Sequence, residues 1–189
     1  FVLELGHIYG MESSGIIYCS DEISEPTIVH EVIHQWFFYM IGNDSYSDSF
    51  LDESITTFMS SLYYYDLYGM DGYNGNLDYR DSSQERLSER WDTYVGSSLL
   101  DVTDNMEEGY GFIIYYHGVS ILREYVLSYM DNDVEEFYRI MGAYYDEYNG
   151  EIVTVDAFLT FLEDESGVSG TKEWFMFHLN ELQDVKNTP

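Results

Sequence analysis

The chain has 189 residues, 45% apolar and 18% aromatic, which is enough to bury the core of one substantial domain and excludes a disordered segment. A net charge of -29, with 36 acidic side chains against 7 basic ones, repels nucleic acid and anionic lipid and removes both as partners. No apolar run is long enough to span a bilayer, so no membrane insertion is expected. The same charge attracts cations, including metals and peptide amino groups, although most of these carboxylates read as a solvated surface. Cys19 is the single cysteine, so it forms no intrachain disulfide and no CxxC pair, and a buried thiol is expected. The chain starts at Phe1 without a basic segment followed by an apolar one, and it reads as an excised piece of a longer protein.

Residues 1–20 read as extended: "FVLEL" alternates, and "GIIYCS" is a β-branched and aromatic run bounded by Gly15 and Ser20. Ser24-Glu25-Pro26 opens a helix whose apolar face is Ile28, Val29, Ile33, Trp36, Phe37, Met40 and Ile41, with Gly42-Asn43 as its end. After a polar loop at 43–49, a second helix is expected from near Asp52 to Tyr68, stopped by Gly69. The Gly-, Asn- and Asp-rich stretch 69–82 reads as a loop. Helical patterns resume at about 83–98, 108–130, 133–148, 155–165 and 171–182, with Thr154 before the fourth of these and Gly167 after it. The expected fold is α+β and mostly helical: one domain over 1–189, with a strand remnant at 1–20, a helix pair at 24–68 and a helical part at 83–182.

His30 and His34 stand four apart on the first predicted helix, on one face and about one turn from each other. Both can aim a ring nitrogen at one point, which suits Zn²⁺ in a site with three protein ligands and one open position. Glu53, at the start of the second helix, is the natural third ligand, since an antiparallel return would bring it to the same point. Glu31 follows His30 directly and can lie beside the metal as a general base without ligating it. The competing reading is a pair of core or capping histidines. An HExxH match alone is too common to decide, and the helical context with a spaced glutamate is the confirmation it requires.

"HEVIHQWFFYMIGND…FLDES" resembles the zinc aminopeptidases of the M1 family, in which HExxH and a glutamate are separated by eighteen residues, as His34 and Glu53 are here. "YGMESSGIIY" is similar to the family's G-x-M-E-N strand, "IIYYHGVSILREYVL" to its Y-x-K-G segment, and "TVDAFLTFLEDESG…EWFMFHL" to the end of its catalytic domain. The likeness is greatest to bacterial members with "GND" after the first zinc helix. It implies a thermolysin-like catalytic domain binding one zinc ion through His30, His34 and Glu53, with Glu31 as base. Glu12 would bind the free α-amino group of a peptide substrate, and Tyr115 would donate a hydrogen bond to the oxyanion. Ser13, His117 and Ser54 stand where the family has Asn, Lys and Gly, and Tyr116 offers an alternative register for Tyr115.

The activity implied is removal of the N-terminal residue from peptides by metal-activated water. The alternatives are a related zinc endopeptidase and a non-catalytic interaction module on a peptidase fold. Family members carry a β-sandwich before this domain and helical repeats after it, so both are expected in the full protein, and the isolated fragment is expected to turn over poorly. The acid-rich, Lys-poor surface favours an extracytoplasmic bacterial setting over a cytoplasmic one. Asp44, Asp48 and Asp52 all lie near enough in sequence to orient a zinc-bound histidine. Trp36, Trp91 and Trp174 are core candidates, "SLYYYDLY" reads as packing, and His7 and His178 read as structural.

Overall fold

Three short strands and a capped helix set the frame at the N-terminal end. In the computed structural model, which describes residues 2–4, 10–74 and 113–180, β1 (Val2–Glu4), β2 (Gly10–Ser13) and β3 (Ile16–Cys19) form one sheet in the order β1-β3-β2. β3 runs parallel to β1 and antiparallel to β2, with Glu12 opposite Ile17 and Met11 opposite Tyr18. Gly15, at φ 72°, makes the tight turn between β2 and β3, a conformation a side chain would resist. Cys19 is a buried free thiol, as its composition suggested.

Helix α1 (Glu25–Phe37) begins where its sequence signals put it. The Ser24 hydroxyl accepts from the Thr27 backbone N–H, and Pro26 occupies the first turn, where no amide donor is needed. The helix ends at Phe37, earlier than the apolar stripe predicts. The N–H groups of Phe38 and Tyr39 both reach the His34 carbonyl, and Ile41 N–H reaches back to Trp36 at 2.9 Å, so the last turn opens. Gly42 then pairs with the far end of the chain: its N–H donates to Glu151 and its carbonyl accepts from Val153, each at 2.8 Å.

Helical backbone resumes at Phe50, before the predicted start, as a wide π-helical turn (Phe50–Ser54) that runs straight into α2 (Ile55–Tyr68). Gly69 stops α2 at φ 66°, but the chain is helical again at 70–74 and buries Tyr73 completely, so this part of the expected 69–82 loop is not a loop. The expected helix at 83–98, Trp91 and His7 lie outside the described residues. A second π-helical turn (Ile113–His117) leads into α3 (Gly118–Tyr129), followed by α4 (Val134–Tyr148), α5 (Val155–Ser166) and α6 (Thr171–Asn180). Asp133 and Thr154 cap α4 and α5 through their side chains, and Gly167 at φ 67° closes α5.

The core lies between α2 and these later helices. Phe58 on α2 meets Phe137 on α4 edge to face at 5.3 Å, Tyr144 meets Phe158 at 5.0 Å, and Tyr125 meets Phe175 at 4.9 Å. Tyr125 buries its hydroxyl against Thr171 Oγ1 at 3.0 Å. Trp174 packs partly buried against that core, but Trp36 is 43% exposed and is not a core residue. The buried face of α1 carries Glu31 and His34, and its apolar side, with Trp36, lines a groove of about 560 Å³ together with Met59, Tyr63 and Tyr145. The tyrosine stripe of α2 is likewise divided: Tyr65 packs on the core, while Leu67 and Tyr68 are exposed. Among the described residues, no helix is long and apolar enough to cross a membrane.

Candidate metal centre

α1 lies on β2 and against the start of α2, and three side chains meet at that junction. His30 Nε2 and His34 Nε2 are 3.0 Å apart, and Glu53 Oε2 lies 3.1 Å from the first and 3.4 Å from the second. The rings stand nearly perpendicular, at 88°, so two nitrogens from successive turns of one helix face a single point. The wide turn at Phe50–Ser54 carries Glu53 inward to that point. Four-coordinate zinc with ligands at 2.0–2.1 Å places its ligand atoms about 3.3 Å apart, so this nitrogen, nitrogen and oxygen set has the chemistry and the spacing to hold the ion.

The outer ring nitrogens are also held. His34 Nδ1 lies 3.1 Å from Asp52 Oδ1 and 3.4 Å from Thr56 Oγ1, and His30 Nδ1 lies 3.3 Å from Thr57 Oγ1. Of the three aspartates, Asp52 is thus the one beside a histidine. Asp44 accepts from Tyr46 N–H, and Asp48 accepts from Val155 N–H at the start of α5. Thr56 and Thr57 were not singled out in the sequence, although they stand three and four residues after Glu53, where a helix returns to the same face.

Glu31 is buried, and its Oε2 has no hydrogen-bond partner among the described residues. It shares a second cluster with Glu12 and His34, whose ligand-type atoms lie within 4.8 Å of one another. Positions 10 and 12 of β2 face the same way. A methyl group on Gly10 would sit 2.7 Å from Glu31 Oε1 and from Thr27 Cγ2, so any side chain here would have to displace them. Tyr115, in the second π-helical turn, is half-buried with its ring 5.8 Å from that of His30. His117 is buried, and burial together with His178 lowers its pKa to about 4. His178 itself packs on Trp174 at 4.3 Å.

The charges describe a pocket that wants a cation. Burial raises the Glu31 carboxyl to about 7, opposed by His34 and reinforced by Glu12 and Glu53. Burial would strip the proton from His34, but Asp52 and Glu53 outweigh it and push the imidazole up to about 10. Burial would likewise raise Glu53, yet its contacts to His30 and His34 hold it well below the usual carboxylate range. Asp52 is raised by burial against the pull of His34. A proton on His34 answers part of this negative field, and a dication can answer more of it.

Residues 11–185 match the sequence profile of the Peptidase family M1 domain. Human aminopeptidase RNPEPL1 is 24% identical over 162 residues, covering 77% of this chain and 21% of that protein. An M1 zinc metallopeptidase from Deinococcus radiodurans superposes with a TM-score of 0.73 at 18% identity, over 96% of this chain and 39% of the other. Yeast LTA4 hydrolase in complex with bestatin superposes with a TM-score of 0.73 at 19% identity, over 92% of this chain and 29% of the other. At these identities the superpositions speak for the fold, and the chain spans well under half the length of each relative.

Proposed function

The chain belongs to peptidase family M1, and from that premise we propose that it is the zinc-binding part of an aminopeptidase that removes single residues from the N-terminus of peptides. The observation that carries the reading is the convergence of His30 Nε2, His34 Nε2 and Glu53 Oε2 beside a buried carboxylate oxygen of Glu31 that has no hydrogen-bond partner among the described residues. Zinc, when held by those three atoms, supplies a Lewis acid that acidifies water and polarises a carbonyl.

The remaining steps belong to the protein. Asp52, Thr56 and Thr57 keep the imidazoles turned with Nε2 inward. Glu31 takes a proton from the attacking water and passes it to the leaving amine. Burial makes that carboxylate a stronger base than a solvated one, which suits it to taking up the proton. Glu12 pairs with the substrate ammonium, which selects a chain end over an internal peptide bond. Tyr115 donates its O–H to the carbonyl oxygen as negative charge develops there, a contribution of a few kcal/mol, about 3, when water is excluded.

The same proposal extends to the rest of the protein. A β-sandwich before this domain would add substrate contacts, and helical repeats would follow it, in keeping with the 39% of the Deinococcus enzyme that the chain spans. An extracytoplasmic bacterial setting rests on the acidic surface alone. The test is hydrolysis of free and N-acetylated peptides by the full-length protein, with and without a chelator. Cleavage of free peptides only, abolished by the chelator, is expected. Equal cleavage of blocked peptides would replace the aminopeptidase with an endopeptidase, and no zinc uptake at neutral pH would leave an interaction module.

A further inference from the structure

The two wide helical turns that carry Glu53 and Tyr115 touch at one buried hydrogen bond. Ser54 Oγ donates to the Ile114 carbonyl at 2.7 Å, across sixty residues of sequence, and both residues are fully buried. Each partner is the immediate neighbour of a residue with a role in the proposed reaction: Ser54 follows Glu53, and Ile114 precedes Tyr115. The Ile114 carbonyl belongs to the same rigid peptide plane as the Tyr115 amide, so fixing that oxygen fixes the direction in which the Tyr115 Cα leaves the turn. On the other side the bond starts from the Ser54 side chain, on the residue joined directly to Glu53.

Neither turn has a side-chain hydrogen bond capping its junction with the helix that follows it. The Ser54 hydroxyl is instead spent on the bond between the two turns. We propose that Ser54 is a positioning residue, whose hydrogen bond to the Ile114 carbonyl sets the Tyr115 hydroxyl at its working distance from the metal ligands. This inference rests on the aminopeptidase reading, in which Tyr115 meets the developing oxyanion. It acts on the chemical step and not on substrate capture, since Glu12 sits on a different element.

The test is a double-mutant cycle in the full-length, zinc-loaded protein, reading kcat and KM on a free-amine peptide together with zinc content. Tyr115→Phe is expected to lower kcat by about 100-fold or more. Ser54→Ala is expected to lower kcat about tenfold, because a small misplacement of a reacting group is costly, with KM and zinc content unchanged. In the Tyr115→Phe background, Ser54→Ala is expected to cost nothing further. Ser54→Gly removes the same hydroxyl and is made in parallel, so that the result does not depend on one variant folding. If the two losses multiply, or if Ser54→Ala lowers zinc content, Ser54 has only a structural role and the inference falls while the aminopeptidase reading stands. If Tyr115→Phe is silent, the assigned role of Tyr115 fails and takes this inference with it.

Discussion

Replacing Glu31 with glutamine should abolish turnover and, at the same time, make the metal-stripped chain more stable. The carboxyl has an ordinary value of 4.5 and is raised to about 7 in the folded protein, chiefly by burial. The unfolded chain therefore holds its charge more comfortably than the folded one at any pH where the group is ionised. The gap corresponds to about 3 kcal/mol at most, and screening at the open side of the site reduces it to about 1–2 kcal/mol. The sign follows from the direction of the shift. Below about pH 4.5 the group is neutral in both states and costs nothing. The penalty builds as pH rises through the interval up to about 7, and above that it is constant. Urea unfolding of wild type and Glu31→Gln in the presence of a chelator, between about pH 4.5 and 8.5, reads the difference directly. The glutamine variant should be the more stable above about pH 7, with the gap closing towards the acid end. A gap that is absent at about pH 8, or that widens as pH falls, would show that Glu31 is not a desolvated carboxylate in the folded chain.

Asp52→Asn removes the charge beside His34 Nδ1 and should weaken zinc binding by about 10- to 100-fold, measured by competition with a chromogenic chelator. Gly10→Ala puts a methyl group 2.7 Å from Glu31 Oε1; kcat should fall by about tenfold or more while zinc content holds, as steady-state kinetics and metal analysis would show. Phe58→Ala empties a fully buried site between Tyr73 and Phe137 and should cost about 3–5 kcal/mol in urea unfolding, with the metal content of the folded protein unchanged.

What was legible in the sequence followed the rules of local geometry. Ser24, Pro26, Thr154 and Gly167 mark helix ends because capping is decided within a few residues, and the structure puts helix ends there. The i, i+4 spacing of His30 and His34 says that they share a face, which is a property of any helix. Other features depended on partners distant in sequence. The choice of Asp52 over Asp44 and Asp48 depends on a π-helical turn that no local signal announces, and Asp48 is engaged by Val155. Trp36 read as core because apolar periodicity reports that a face is apolar and not what covers it. The Ser54 tie to Ile114 joins residues sixty apart, and a single sequence holds no record of that meeting.

The stitching of the first helix pair to the distal part of the chain has a consequence for biosynthesis. The segment between the two zinc-site helices is pinned at Gly42 by residues 151–153 and at Asp48 by the amide of Val155. On a ribosome, the histidines emerge long before the bridge residues and the helix that anchor the connection between them and Glu53. A chain ending before residue 155 would therefore leave the connection between His34 and Glu53 without the hydrogen bonds that hold it. The corner where His30, His34 and Glu53 meet thereby depends on chain made much later, at least as far as residue 155.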